Sequence, residues 1–210
     1  MSELADALAN LNEDEVAKLI HKEIDARVDA MSILDECRKG MDIVGQRYKK
    51  GDYFLSELIV SGEIFKESMK VIEPHLGAGK QRDTLAKVVL GTVKGDIHNI
   101  GKDIVCVLLK GAGFEVYDLG IDVAPSAFVD KLKETGAPIL GMSGLLTPSF
   151  ESMKETVQAV EAAGIRDKVK IVIGGGIINE LVKKHTNADA FTDDGLEGVD
   201  ICKKFVREMR

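Results

Sequence analysis

The chain has 210 residues, of which 45% are hydrophobic, and a formal net charge of −7. That length fills one large or two small domains, no apolar run approaches the roughly 20 residues of a membrane span, and the mixed charges form no basic block, which argues against a nucleic-acid partner. The acidic, helical start "MSELADALANLNEDEV" does not read as a secretory signal, so the cytoplasm is the expected location. Cys37, Cys106 and Cys202 are scattered and form no CxxC, which argues against a disulfide framework or a zinc site and leaves them as small buried side chains.

Residues 1–73 read as helices throughout. Asn12 precedes "EDEVAKLIHKEIDARV" and suits an N-cap, with Glu13 and Glu15 placed for the helix dipole. Ile33, Cys37, Met41, Val44 and Tyr48 recur at helical spacing, as do Leu58, Ser61, Ile64, Phe65 and Met69. Three or four such helices predict a small bundle. Residues 74–83, "PHLGAGKQRD", break the pattern and mark a linker, so the expected domains are 1–83 and 84–210.

From Thr84 the texture changes. Short β-rich runs, "AKVVLGTV", "FEVYDLG", "APILGMS", "VKIVIGG" and "ADAFTD", alternate with helical stretches after Gly101, Pro125, Pro148, Ile177 and Gly195. The expected fold is α/β: a helical bundle followed by a doubly wound, five-stranded parallel sheet. Ligands of such sheets bind beyond the carboxyl ends of the strands. The loops Gly95–Gly101, Ser143–Ser149 and Gly174–Gly176 lie at that edge.

The first loop, "GDIHNIG", is not a phosphate cradle. Gly95 and Gly101 have the wrong spacing for a Walker A loop, Asp103 follows Lys102 where Ser or Thr is needed, and GxGxxG is absent. Of the four histidines only His98 falls at the ligand edge, with Asp96 two residues before it. A carboxylate on one imidazole nitrogen fixes the tautomer and frees the other nitrogen as a base or metal ligand. One His makes no zinc site by itself. A metal bound there must bring its other ligands, as in a macrocycle.

Three elements then agree in type and spacing. Asp96, His98 and Gly101 form Asp-x-His-x-x-Gly; 41 residues later come Ser143 and Leu145; 28 residues after those come Gly174 and Gly175. This resembles the cobalamin-binding signature. With its helical first part, the chain resembles the corrinoid methyl carriers of methylamine, methanol and methoxy-aromatic methyltransferase systems, and the cobalamin module of methionine synthase. The resemblance implies a flavodoxin-like (Rossmann-like) second domain capped by the bundle.

It also implies roles, position by position. His98 would be the lower axial ligand of cobalt, displacing dimethylbenzimidazole (base-off, His-on). Asp96 would bond the distal nitrogen of His98, and Ser149 would complete the relay behind it. Ser143 and Thr147 would line the pocket for the displaced nucleotide tail, beside Leu145. Gly101, Gly174 and Gly175 would let backbone approach that tail, and Gly120, in "DLGIDVAP", would border it. In "DYFLSEL", Phe54 would cover the upper cobalt face, with Leu55 and Leu58 beside it. "GGGIINE" departs from the family, which often has a small residue and Pro where Ile177 and Ile178 stand. Ser149 also reads as a helix-start residue, and Asp193 and Asp194 as caps.

The implied function is a carrier, not a complete enzyme. A substrate-specific methyltransferase would load a methyl group on the cobalamin, and a second would pass it to tetrahydrofolate or coenzyme M. A reductive activation protein is a further implied partner, and a monomer is expected when the carrier is free. The alternatives are the cobalamin subunit of a radical mutase, which carries no such helical part, and a cobalamin-binding sensor, which usually adds a DNA-binding or signalling domain.

Overall fold

The computed structural model describes residues 2–76 and 84–209. The chain divides into two compact units, Met1–Asp83 and Thr84–Arg210.

The first unit contains α1 (Glu3–Ala9), α2 (Glu13–Asp25), α3 (Ala30–Lys50) and α4 (Leu55–Ile72). Ser2, Asn12 and Asp29 start α1, α2 and α3 by accepting from the backbone N–H of Ala5, Glu15 and Ser32. α3 stops where Gly51 takes a left-handed φ of 80°. Glu57 reaches back to the N–H of Phe54 at 2.8 Å and starts α4. Leu4, Leu8, Ile20, Ile33 and Ile72 fill the core. α1 crosses α3 so closely that a Cβ on Gly40 would lie 2.9 Å from that of Leu8. Tyr53 donates its hydroxyl proton to Ala9 O at 2.8 Å and Arg47 donates to the same carbonyl at 2.5 Å, which anchors the loop before α4 to the end of α1. α4 runs into a single 3₁₀ turn, Glu73–His75, so the start of the expected linker is helical. Its remainder, 77–83, lies outside the described residues.

The second unit alternates β1 (Lys87–Thr92), α5 (Ile100–Gly111), β2 (Glu115–Asp118), α6 (Pro125–Thr135), β3 (Ile139–Ser143), α7 (Ser149–Ala162), β4 (Lys170–Gly174), α8 (Glu180–Thr186), β5 (Ala190–Thr192) and α9 (Gly195–Glu208). The five strands pair in parallel in the order β2-β1-β3-β4-β5. This is the doubly wound, flavodoxin-like topology. α5 packs with α9, while α6 packs with α7 and α7 with α8. β1 and β3 are buried along nearly their whole length, which explains their continuous apolar runs. α5 begins at Ile100, slightly before the expected start. α8 waits until Asn179 caps it, because Ile178 is buried in the preceding turn. Asp194 caps α9.

Register fixes the ligand edge. Thr92 stands opposite Ser143, Ser143 opposite Gly174, and Gly174 opposite Thr192. Chain order reverses between β1 and β3, so the loops after these neighbouring strands part there and leave the crevice that such sheets use for ligands.

All three cysteines are buried. Burial raises the pKa of the Cys106 thiol and pushes those of Cys37 and Cys202 up to about 12, which makes them packing residues without thiolate reactivity. Among the described residues no helix is long and apolar enough to cross a membrane.

Candidate functional site

The site begins where β1 ends. The chain turns at Val93, whose carbonyl accepts from the N–H of Asp96 at 3.1 Å, and Asp96 drops into the crevice with no solvent exposure. Both of its oxygens are occupied. Oδ1 accepts the backbone N–H of His98 at 3.0 Å and faces His98 Nδ1 at 2.7 Å. Oδ2 accepts from the N–H groups of Leu145 and Leu146 at 2.6 and 3.2 Å and from the Ser149 hydroxyl at 2.7 Å. Burial alone pushes a carboxyl pKa up. The N–H of Leu145, that of His98, the Ser149 hydroxyl and the His98 ring outweigh it and hold Asp96 well below the usual carboxylate range.

An ionised carboxylate only accepts hydrogen bonds, so Nδ1 of His98 carries the proton and Nε2 is the free, basic nitrogen. The His98 side chain is 48% exposed, so that nitrogen is available to a ligand. Ile97, Ile100, Leu145 and Leu146 are exposed apolar residues in the same two loops.

The structure brings Asp96, His98, Leu145 and Ser149 together. Ser149 is the first residue of α7, and its hydroxyl serves Asp96 instead of capping the helix. Ser143 ends β3, and Thr147 lies in the turn before α7, its carbonyl accepting from Phe150. The glycines divide by cause. A Cβ on Gly101 or Gly120 would meet nothing within 4 Å, so these positions leave open space. Gly174 is snug, its Cβ falling 3.4 Å from Thr192 O. Gly175 has a φ of 140°, and a Cβ there would overlap the carbonyl of Gly144, so close packing of the two loops already demands this glycine. In the first unit Phe54 is 69% exposed and Leu55 is exposed too. Leu58 is buried.

Sequence reasoning missed several supports. Thr92 donates its hydroxyl proton to His98 O at 3.1 Å. Buried Lys102 donates to Asp103 and Asp118 at 2.6 and 2.5 Å, and Asp118 also accepts the N–H of Gly120 at 2.9 Å. Burial would lower the Lys102 pKa, but these carboxylates raise it. Lys102 follows the Gly of the signature and Asp118 opens "DLG", so the signal lay in two quoted motifs read singly.

These residues fit a corrinoid. Among the described residues no cluster of three or more His, Cys, Asp or Glu stands ready for a metal ion. A metal at His98 Nε2 therefore needs ligands of its own. The exposed apolar residues and open glycines of the same loops suit a broad macrocycle with a long tail.

Residues 86–198 match a family model described as a B12 binding domain, and residues 2–73 match a second model of the same description. The chain belongs to the B12-binding corrinoid proteins. Cobalamin is the cofactor of this family, and this corrinoid protein carries both of its parts. The dimethylamine corrinoid protein 1 of Methanosarcina mazei is 32% identical over 98% of this chain and 95% of its own. A crystal structure of a cobalamin-binding protein from Desulfitobacterium hafniense DCB-2 is 39% identical, with TM-score 0.75 over 96% of each chain. A chain of the methanol:cobalamin methyltransferase complex from Methanosarcina barkeri superposes with TM-score 0.87 at 25% identity, over 97% of this chain and 78% of that one.

Proposed function

We propose that this corrinoid protein is a methyl carrier that binds cobalamin base-off and His-on. The observation that carries the reading is the buried, ionised Asp96 holding Nδ1–H of an exposed His98 at 2.7 Å. A bound corrinoid would supply methyl-transfer chemistry at cobalt.

The chain's own residues do the rest. His98 Nε2 would hold the cobalt in place of dimethylbenzimidazole. Asp96 keeps the proton on Nδ1 and fixes the orientation of the ring, and the Ser149 hydroxyl holds Asp96 in turn. Ser143, Thr147, Gly174 and the open space at Gly101 and Gly120 receive the nucleotide tail.

Three partners follow from that role. A substrate-specific methyltransferase loads the carrier, and a second transfers the methyl group to tetrahydrofolate or coenzyme M; a reductive activation protein restores the reduced state. The methylamine relative and the methanol methyltransferase complex support the first partner class. The carrier works as a cytoplasmic monomer between encounters. The test presents the reduced, corrinoid-loaded protein to methyltransferases for methylamines, methanol, betaine and methoxy-aromatics, each with its donor. One of them converts the cobalt absorption spectrum within minutes and H98A responds far more slowly. Conversion by none, with H98A equal to wild type, contradicts the proposal.

A further inference from the structure

The main chain of His98 is held from both sides. Asp96 Oδ1 accepts its N–H at 3.0 Å, and the Thr92 hydroxyl donates to its carbonyl at 3.1 Å. Thr92 is the last residue of β1 and has no solvent exposure. Its N–H donates to Gly120 O at 2.9 Å and its carbonyl accepts from the N–H of Val123 at 3.0 Å. The hydroxyl is therefore mounted on an interior strand of the sheet and tied to the loop after β2. A buried strand position of this shape accepts valine equally well. The oxygen is what distinguishes threonine there, and it reaches a carbonyl six residues on.

We infer that Thr92 is a positioning residue for the protein's cobalt ligand. Its hydroxyl fixes the peptide after His98, as Asp96 fixes the peptide before it, so that Nε2 is aimed before any corrinoid arrives. This rests on His98 being that ligand. A preorganised ligand loses less freedom on binding, so removing the hydroxyl weakens axial ligation without touching the Asp96 contacts.

Cobinamide is the probe, because it carries no dimethylbenzimidazole and any nitrogen on its cobalt comes from the protein. Absorption titration gives its dissociation constant, and the EPR spectrum of the Co(II) form gives the nitrogen splitting. Wild type binds with splitting and H98A shows none; splitting retained in H98A means that the ligand reading has failed, and with it this one. With that control in place, T92V binds cobinamide roughly five-fold more weakly, while T92S binds like wild type. Valine keeps the methyl group and loses the hydroxyl; serine does the reverse. A packing role would follow the methyl group. T92V equal to wild type, or T92S as weak as T92V, overturns the assignment. If valine blocks folding, T92A against T92S gives the same comparison, since both lack the methyl group and only serine keeps the hydroxyl.

Discussion

Asp96 keeps its negative charge in a place without solvent because five donors from two loops converge on it. Its folded pKa lies below the ordinary aspartate value of about 3.9. A depressed carboxyl contributes stability that is fully present above the unfolded value and is lost as pH falls through the folded one. Asp96→Asn presents an amide NH₂ to donors and should cost about 2 kcal/mol near neutral pH. Urea unfolding of both proteins should show that gap constant from about pH 7 to about pH 5 and narrowing below about pH 4. A gap that widens on acidification would mean that the carboxylate is not held ionised by these donors. Of these contacts, only the side chains were legible in the sequence. Asp96, His98 and Ser149 stand out by type and spacing. The N–H groups of Leu145 and Leu146 leave no trace in a side-chain pattern, and they reach Asp96 across 49 and 50 residues. Thr92 was invisible for another reason: a β-branched residue ending a strand looks like strand propensity alone.

The elements decide which glycines matter to the fold and which to the ligand. In α5 the Cβ of an alanine at Gly101 would meet open space. Gly101→Ala should leave the melting temperature of the cofactor-free protein unchanged or slightly raised, since alanine favours helix over glycine by up to about 1 kcal/mol. It should reduce the corrinoid retained after desalting. Gly175→Ala places a Cβ against the Gly144 carbonyl at a φ of 140° and should lower the melting temperature itself, by about 2 kcal/mol or more of stability. Equal melting losses for the two variants would contradict this division. Strand and helix order was legible because each strand is a short apolar run bounded by Gly, Pro or charge. The start of α8 was less so: a helix was expected directly after Ile177, but Asn179 accepts from Leu181 and Val182 and sets the boundary later. Phe54, Leu55 and Leu58 lie at the start of α4. The helical spacing of Leu58 with Ser61, Ile64 and Phe65 marked the side that is buried, while Phe54 and Leu55 stay exposed.

At the scale of the molecule, the strand order does what no local motif can. Placing β1 beside β3 carries the Asp96–His98 loop to the Leu145–Ser149 loop at the topological switch point. That switch point leaves the half-exposed imidazole of His98 at the ligand edge of the sheet. On the proposed function, His98 supplies the nitrogen that binds cobalt. The direct measurement grows the protein with histidine labelled with heavy nitrogen, loads it with hydroxocobalamin, desalts it, reduces the cobalt to Co(II) and records the EPR spectrum. Retained corrinoid whose nitrogen splitting changes from a triplet to a doublet on labelling, and which loses that labelled splitting in His98→Ala, is the predicted result. A triplet that survives labelling would leave dimethylbenzimidazole on the cobalt, and no retained corrinoid would leave the site without its ligand; either contradicts the account.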